Sequence, residues 1–260
     1  MNRTRWLSLL AAAAIAFTGP ASAAEVRVMI SAGFYAVYAE LGPVFERTTG
    51  HKLVTSRGPT VGDSPEAIPN RLARGELADV VIGDGRGAED LAKRGYIRTE
   101  GWVEFAKSKV GMVVRQGAPK PDISTVEALK QTLLAAKSIA YSDSTSGTYI
   151  STTLLPKLGI ADQVAGKSRK VRGPPSGEPV AAVIARGEAE IGFQQMSELM
   201  HTEGVTIVGP IPEEVQPGSS FGGAVTAHAK EREAGAALLK FLSSPEASPV
   251  IAKAGLQPVR

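Results

Sequence analysis

Between Tyr141 and Leu158 the chain reads Tyr-Ser-Asp-Ser-Thr-Ser-Gly-Thr-Tyr-Ile-Ser-Thr-Thr-Leu-Leu-Pro-Lys-Leu, a run whose hydroxyls and single glycine suit the gripping of a small anion. Ser138 to Tyr141 reads as the end of a buried strand and Thr148 to Leu158 as a helix. The loop between them would aim hydroxyls and free helix N-terminal amides at one point, where the helix dipole favours negative charge. Ser144, Ser146, Gly147, Thr148 and Tyr149 are therefore candidate ligand contacts. A second unit of the same design opens the chain, with a strand over Val26–Ile30, a tight loop at Ser31-Ala32-Gly33, and an amphipathic helix over Tyr35–Thr48. Ser31, Ala32 and Gly33 join the candidates. Ser, Thr and Asp also cap ordinary helices, but two such units together favour one anion held between two lobes.

The elements that must position these residues alternate along the chain. Strand-like runs at Lys52–Ser56, Asp79–Ile82, Lys109–Val114, Arg169–Val171, Ile191–Gln194, Val205–Val208 and Ser220–Thr226 are interleaved with helical ones. The helical runs fall near Ala67–Arg74, Ala88–Arg94, Ser124–Ala136, Glu178–Arg186 and Lys230–Leu242. Such alternation predicts α/β architecture with mixed, mostly parallel sheets and helices on both faces. Ligands usually bind at the carboxyl ends of strands in such sheets.

Met1 to Ala23 carries Arg3 and Arg5, an apolar run from Trp6 to Phe17, and Ala21-Ser22-Ala23. This pattern predicts a secretory signal over residues 1–23 with cleavage before Ala24 or Glu25, its apolar part being too short for a membrane span. The chain has no cysteine, which excludes a lipidated N-terminal Cys, a disulfide and thiol catalysis. A periplasmic protein without a membrane anchor is expected. Loss of the signal removes two arginines and no acid, lowering the formal charge from +3 to +1. The pI of about 9.1 thus implies no nucleic-acid partner, and no long Lys/Arg run supports one.

The order and spacing of four motifs resemble periplasmic molybdate-binding proteins across nearly all of the mature chain. They are Ser31-Ala32-Gly33-Phe34 before a helix with Pro43-Val44-Phe45-Glu46, the run Arg74 to Ile82, Ser146-Gly147-Thr148-Tyr149, and Arg186 to Phe193. The resemblance implies the type II periplasmic-binding fold, two α/β lobes joined by two crossing hinge strands. It implies a first lobe of residues 25–105 plus 226–260 and a second of 106–225, with hinge strands near Val110–Val114 and Phe221–Val225 and a flexible pair at Gly222-Gly223. A small anionic ligand and an inner-membrane transporter permease are the partners it implies; no cofactor or metal is expected.

Departures from the family point to a different ligand. Oxyanion receptors of that family grip with hydroxyls and backbone amides and avoid full charges. Here Arg57 stands at the end of the second strand, followed by Gly58-Pro59-x-x-Gly62, and its guanidinium fork matches a carboxylate. Gln194, near where the family has a Tyr, offers both donor and acceptor. Asp84, in the strand-end loop Gly83-Asp84-Gly85, would repel an anion unless protonated, hydrogen-bonded to a hydroxyl, or used as a base. Arg57, Gly58, Asp84 and Gln194 complete the expected ligand set. A branch of the family includes aconitate isomerase, which the chain resembles in signal, length and Arg57. Its reaction needs a carboxylate clamp and one acid/base group, for which Asp84, Glu178 and Tyr149 are candidates.

Three functions therefore stand at this point. The expectation is a receptor that captures a di- or tricarboxylate such as citrate or aconitate for a transporter; the alternatives are an aconitate isomerase and molybdate or tungstate uptake. Other chemistries lack their residues. His51, His201 and His228 share no metal-ligand spacing. No Gly-x-Ser-x-Gly elbow or phosphate loop occurs, and Gly83-x-Gly85-x-Gly87 lacks the full dinucleotide spacing. Aromatics make up 5% of the chain, too few for the ring platforms that stack on sugars.

Overall fold

The computed structural model describes residues 23–259; the predicted signal, apart from Ala23, lies outside them. Eleven strands form two sheets. They are β1 (Glu25–Ile30), β2 (Lys52–Arg57), β3 (Val80–Asp84), β4 (Val103–Ser108), β5 (Val110–Arg115), β6 (Ile139–Ser142), β7 (Ser168–Val171), β8 (Ile191–Gln195), β9 (Val205–Pro210), β10 (Ser219–Val225) and β11 (Gln257–Pro258). The first sheet runs β11-β4-β10-β3-β1-β2 and the second β7-β6-β8-β5-β9. Both are mixed. Parallel pairs β1/β2, β1/β3, β6/β7 and β6/β8 are outnumbered by five antiparallel ones. The sheets are less parallel than strand–helix alternation alone predicts, because the strands that lead the chain between sheets all pair antiparallel.

Strand alternation sets the layers. Val26, Val28 and Ile30 of β1 face one core with Val80 and Ile82, while Met29 and Val81 face the other way, the period-two pattern of a strand buried on both sides. Helices Ala32–Thr49 and Arg232–Leu242 cover the first face with Phe34, Val37, Phe45, Leu238 and Leu242. Helices Ile68–Ala73 and Gly85–Lys93 cover the second through Ile68, Ala88 and Leu91. Phe34 is fully buried against Phe105, ring centroids 5.1 Å apart. Its truncation to Ala would cost roughly 3–5 kcal/mol. The second sheet is sandwiched likewise, by Leu129, Leu133, Ile150 and Leu154 on one side and Val180, Val183 and Ile184 on the other.

The chain passes from the first sheet to the second at Ser108–Val110 and returns through residues 211–218. Both passages differ from the expected hinge. Phe221–Val225 lies wholly in the first sheet between β3 and β4. Gly222 and Gly223 are packing glycines, since a Cβ on either would meet Trp102 and the Val103 carbonyl or Leu239 and the Val81 carbonyl. Gln216 ties the passages together, its Oε1 accepting from Val110 N at 3.0 Å and its Nε2 donating to Val110 O and Ile211 O. Among the described residues no helix is long and apolar enough to cross a membrane.

Candidate cleft site

Helices start earlier at the site than the sequence predicts. Ser31 is itself the N-cap of the helix Ala32–Thr49, with an extended backbone, so Ala32 and Gly33 form its first turn rather than a loop. Asp84 caps the helix Gly85–Lys93, its Oδ1 accepting from Gly87 N at 3.0 Å. In the hydroxyl-rich segment helix begins at Thr145 and passes through a π turn at Ile150–Leu154. Chain order thus brings three helix starts, each at a strand's carboxyl end, to one place.

They enclose a small cavity of about 30 Å3 between the sheets. Ser31, Ala32, Gly33, Asp84, Ser144, Ser146 and Gln194 of the expected set line it, with Thr60, Ser142, Asp143, Thr145 and Glu198 beside them. Ser31 is 5% exposed, and among the described residues its Oγ neither caps the helix nor meets any partner. Ser142, Ser144 and Ser146 share a hydroxyl mesh, 2.8 Å between the first two and 3.1 Å between Ser142 and Ser146. Two bonds close the cleft across the sheets. Thr145 Oγ1 donates to Asp84 Oδ2 at 2.8 Å, and Ser197 Oγ donates to Gly33 O at 2.8 Å. Asp84 Oδ2 also accepts from Thr60 Oγ1. With three donors on it, Asp84 is occupied as a cap and a cross-link, which tells against its role as a base.

Arg57 lies outside the lining. Its guanidinium sits over the Tyr35 ring, 3.9 Å from the centroid, and its buried Nε has no partner among the described residues. Its positive charge reaches Glu198. Glu198 belongs to the short helix Met196–Leu199 and accepts from Gln194 Nε2 at 2.5 Å. Enclosure of the carboxyl is the main cause that pushes it up to about 7. The Gln194 hydrogen bond and the Arg57 charge oppose the rise, and the Asp143 and Asp84 charges reinforce it. Neither Glu198 nor Tyr35 was singled out by the sequence, although Gln194 and Glu198 stand four residues apart where β8 turns into a helix.

Several expected contacts lie elsewhere, for physical reasons. A Cβ on Gly58 would collide with the Glu66 carbonyl, and one on Gly147 with that of Ser142. Neither glycine lines the cavity, and backbone packing leaves no room for a side chain at either. Thr148 is exposed on the far side of its turn. Tyr149 Oη donates to Val215 O at 2.5 Å within the second core, and burial raises its pKa. Glu178 is engaged bidentately by Arg186 at 2.6 Å, which lowers its pKa. Tyr149 and Glu178 are thus poor acid/base candidates. A wider groove of about 670 Å3 at the back of the crossing, lined by Lys107, Lys109, Glu213 and Gln216, is open and among the described residues holds no unpartnered buried group.

Two α/β lobes with mixed sheets, closing on a cleft of helix starts and hydroxyls, are the type II periplasmic-binding fold. The chain belongs to the bacterial extracellular solute-binding protein family, whose sequence profile matches residues 26–257. Among curated relatives it is similar to aconitate isomerase of Pseudomonas sp, 44% identical over 232 residues, covering 89% of this chain and 87% of the relative. It is also similar to the molybdate-binding protein ModA of Azotobacter vinelandii, 28% identical over 245 residues and 89% of each chain. Among solved structures, the Azotobacter vinelandii periplasmic molybdate-binding protein superposes with a TM-score of 0.69 at 20% identity, covering 90% of this chain and 100% of that one.

Proposed function

We propose that this protein acts in the periplasm on aconitate, binding it in the cleft and interconverting its trans and cis forms. The observation that carries the reading is a set of donors without acceptors. Among the described residues the Arg57 guanidinium is stacked but paired to no carboxylate, and the buried Ser31 hydroxyl meets no partner. Unsatisfied buried donors are costly, and a ligand bearing carboxylates removes that cost. The guanidinium favours a carboxylate over a bare oxyanion, in keeping with the likeness to the Pseudomonas isomerase. Periplasmic location is supported by the predicted signal and by the family.

A second reading is a receptor that hands a carboxylate or an oxyanion to a permease. The Ser142, Ser144 and Ser146 hydroxyl mesh and the likeness to the molybdate-binding protein favour the oxyanion form.

Proton NMR of trans-aconitate incubated with the mature protein tests the first reading directly, with cis-aconitate as the expected product. Thermal unfolding with citrate, both aconitates, molybdate and sulfate runs alongside. A ligand that binds only the folded state raises stability by about 2.7 kcal/mol at a hundredfold excess over its Kd. Stabilisation by aconitate without isomerisation would leave the receptor; stabilisation by molybdate alone would leave oxyanion uptake.

A further inference from the structure

We propose that Glu198 is the group that carries the proton during isomerisation and that Gln194 positions it, an inference that rests on the aconitate reading above. Three titratable side chains line the cavity: Asp84, Asp143 and Glu198. Asp84 is held by three donors, one of them across the cleft. Asp143 is bound through its Oδ1 to Gly173 N at 3.0 Å, in the turn that leads out of β6. Glu198 receives one hydrogen bond, on Oε2, and no donor among the described residues reaches its Oε1.

The direction of the Gln194 amide is fixed from behind. Its Oε1 accepts from Val180 N at 2.9 Å, at the start of the helix Val180–Ala185, so its Nε2 must face Glu198. A donor held against Oε2 leaves Oε1 as the oxygen that loses and regains a proton. The carboxyl is pushed up to about 7 by enclosure, so both protonation states are populated near neutrality, as an acid/base group requires. The charges facing it come from separate elements: Arg57 at the end of β2, Asp84 at the end of β3 and Asp143 after β6.

The chemistry balances on this one group. Ionised Glu198 takes a proton from the methylene carbon of trans-aconitate, and the C–H electron pair spreads over the allylic carbons and the adjoining carboxylate. Neutral Glu198 then returns the proton to the former vinylic carbon. The double bond comes to rest between the central carbon and the former methylene carbon. The formula is unchanged and no co-reactant is consumed. Arg57 beside the site would offset the charge that builds on the ligand carboxylate.

The test follows aconitate turnover by NMR in wild type, Glu198→Gln, Glu198→Asp, Gln194→Leu and Asp143→Asn, with calorimetry for binding and thermal unfolding for folding. Glu198→Gln should lower kcat about a hundredfold or more while aconitate affinity stays within a few-fold. Glu198→Asp should keep measurable turnover. Gln194→Leu removes a hydrogen bond that favours the ionised form, so the acidic limb of its kcat profile should move to higher pH, a shift that a merely structural residue would not produce. Wild-type kcat in folded Glu198→Gln, or a loss that follows Asp143→Asn while Glu198→Gln turns over, overturns the assignment and leaves the aconitate reading standing. A wild-type protein that does not isomerise aconitate overturns both. Should Glu198→Gln fail to fold, an unmoved pH limb in both Glu198→Asp and Gln194→Leu overturns it.

Discussion

Thr145 Oγ1 donates to Asp84 Oδ2 across the cleft at 2.8 Å, so the first turn of a helix beside one sheet is bonded to the capping residue of a helix beside the other. Asp84 accepts from Thr60 and Gly87 as well, which makes it the point where cap, strand-end loop and opposing lobe meet.

Removing the two partners should therefore cost different amounts. Thr145→Val deletes one donor and should destabilise by about 1 kcal/mol. Asp84→Ala deletes the acceptor of three donors and a helix cap, and should cost about 2 kcal/mol or more. Urea unfolding of the ligand-free protein measures both, and a larger effect for Thr145→Val would contradict the assigned geometry.

Ser31 should behave in the opposite way. Its hydroxyl makes no bond among the described residues, so Ser31→Ala should leave unliganded stability within about 0.5 kcal/mol. Ligand affinity should fall roughly tenfold, about 1.4 kcal/mol. Calorimetry with trans-aconitate, beside thermal unfolding without it, separates the two. Unchanged affinity would remove this hydroxyl from the site.

Arg57→Ala should weaken aconitate binding by about 2 kcal/mol or more, the scale of a desolvated charge pair that loses a partner. Arg57→Lys should not restore it, because the ammonium lacks the planar fork and stacks poorly on Tyr35. Tyr35→Ala, which keeps the charge but removes the platform, should fall between wild type and Arg57→Ala in the same calorimetric series. Equal affinities across the series would place Arg57 outside the ligand shell.

Glu198 makes stability depend on pH in a set direction. Its folded-state pKa is raised from an unfolded value of 4.5 to about 7, so the folded protein holds this proton when the unfolded chain has lost it. The contribution is fully present below pH 4.5, falls as pH rises, and is gone above about 7. The unfolding free energy of wild type minus that of Glu198→Gln should decline by on the order of 3 kcal/mol across that window and be flat on either side. A difference that does not change with pH would show that the carboxyl is not enclosed.

What could be read from the sequence was whatever rests on local pattern. The alternation in Val26–Ile30, the strand-end place of Ser31 and Arg57, and the hydroxyl run after β6 follow from periodicity and capping chemistry alone. Other features depend on partners distant in the chain. β4 carries Glu104 and Lys107 at exposed positions and shows no clean apolar face, so no local pattern marks it as a strand. The helix Met196–Leu199 is too short to display a period, and that concealed Glu198. Gly58 and Gly147, set among polar residues, read as ligand contacts, because the carbonyls that fill their Cβ space become neighbours only through packing.

The Gln216 side chain that grips both backbone groups of Val110 has a mechanical consequence. Two independent straps between rigid bodies would let them slide or pull apart, whereas straps bolted together at one spot leave mainly a swing about that bolt. Any guest larger than the present cavity would then be admitted by pivoting about that point. Such a swing would have to break the bond that Thr145 makes to Asp84 across the cleft.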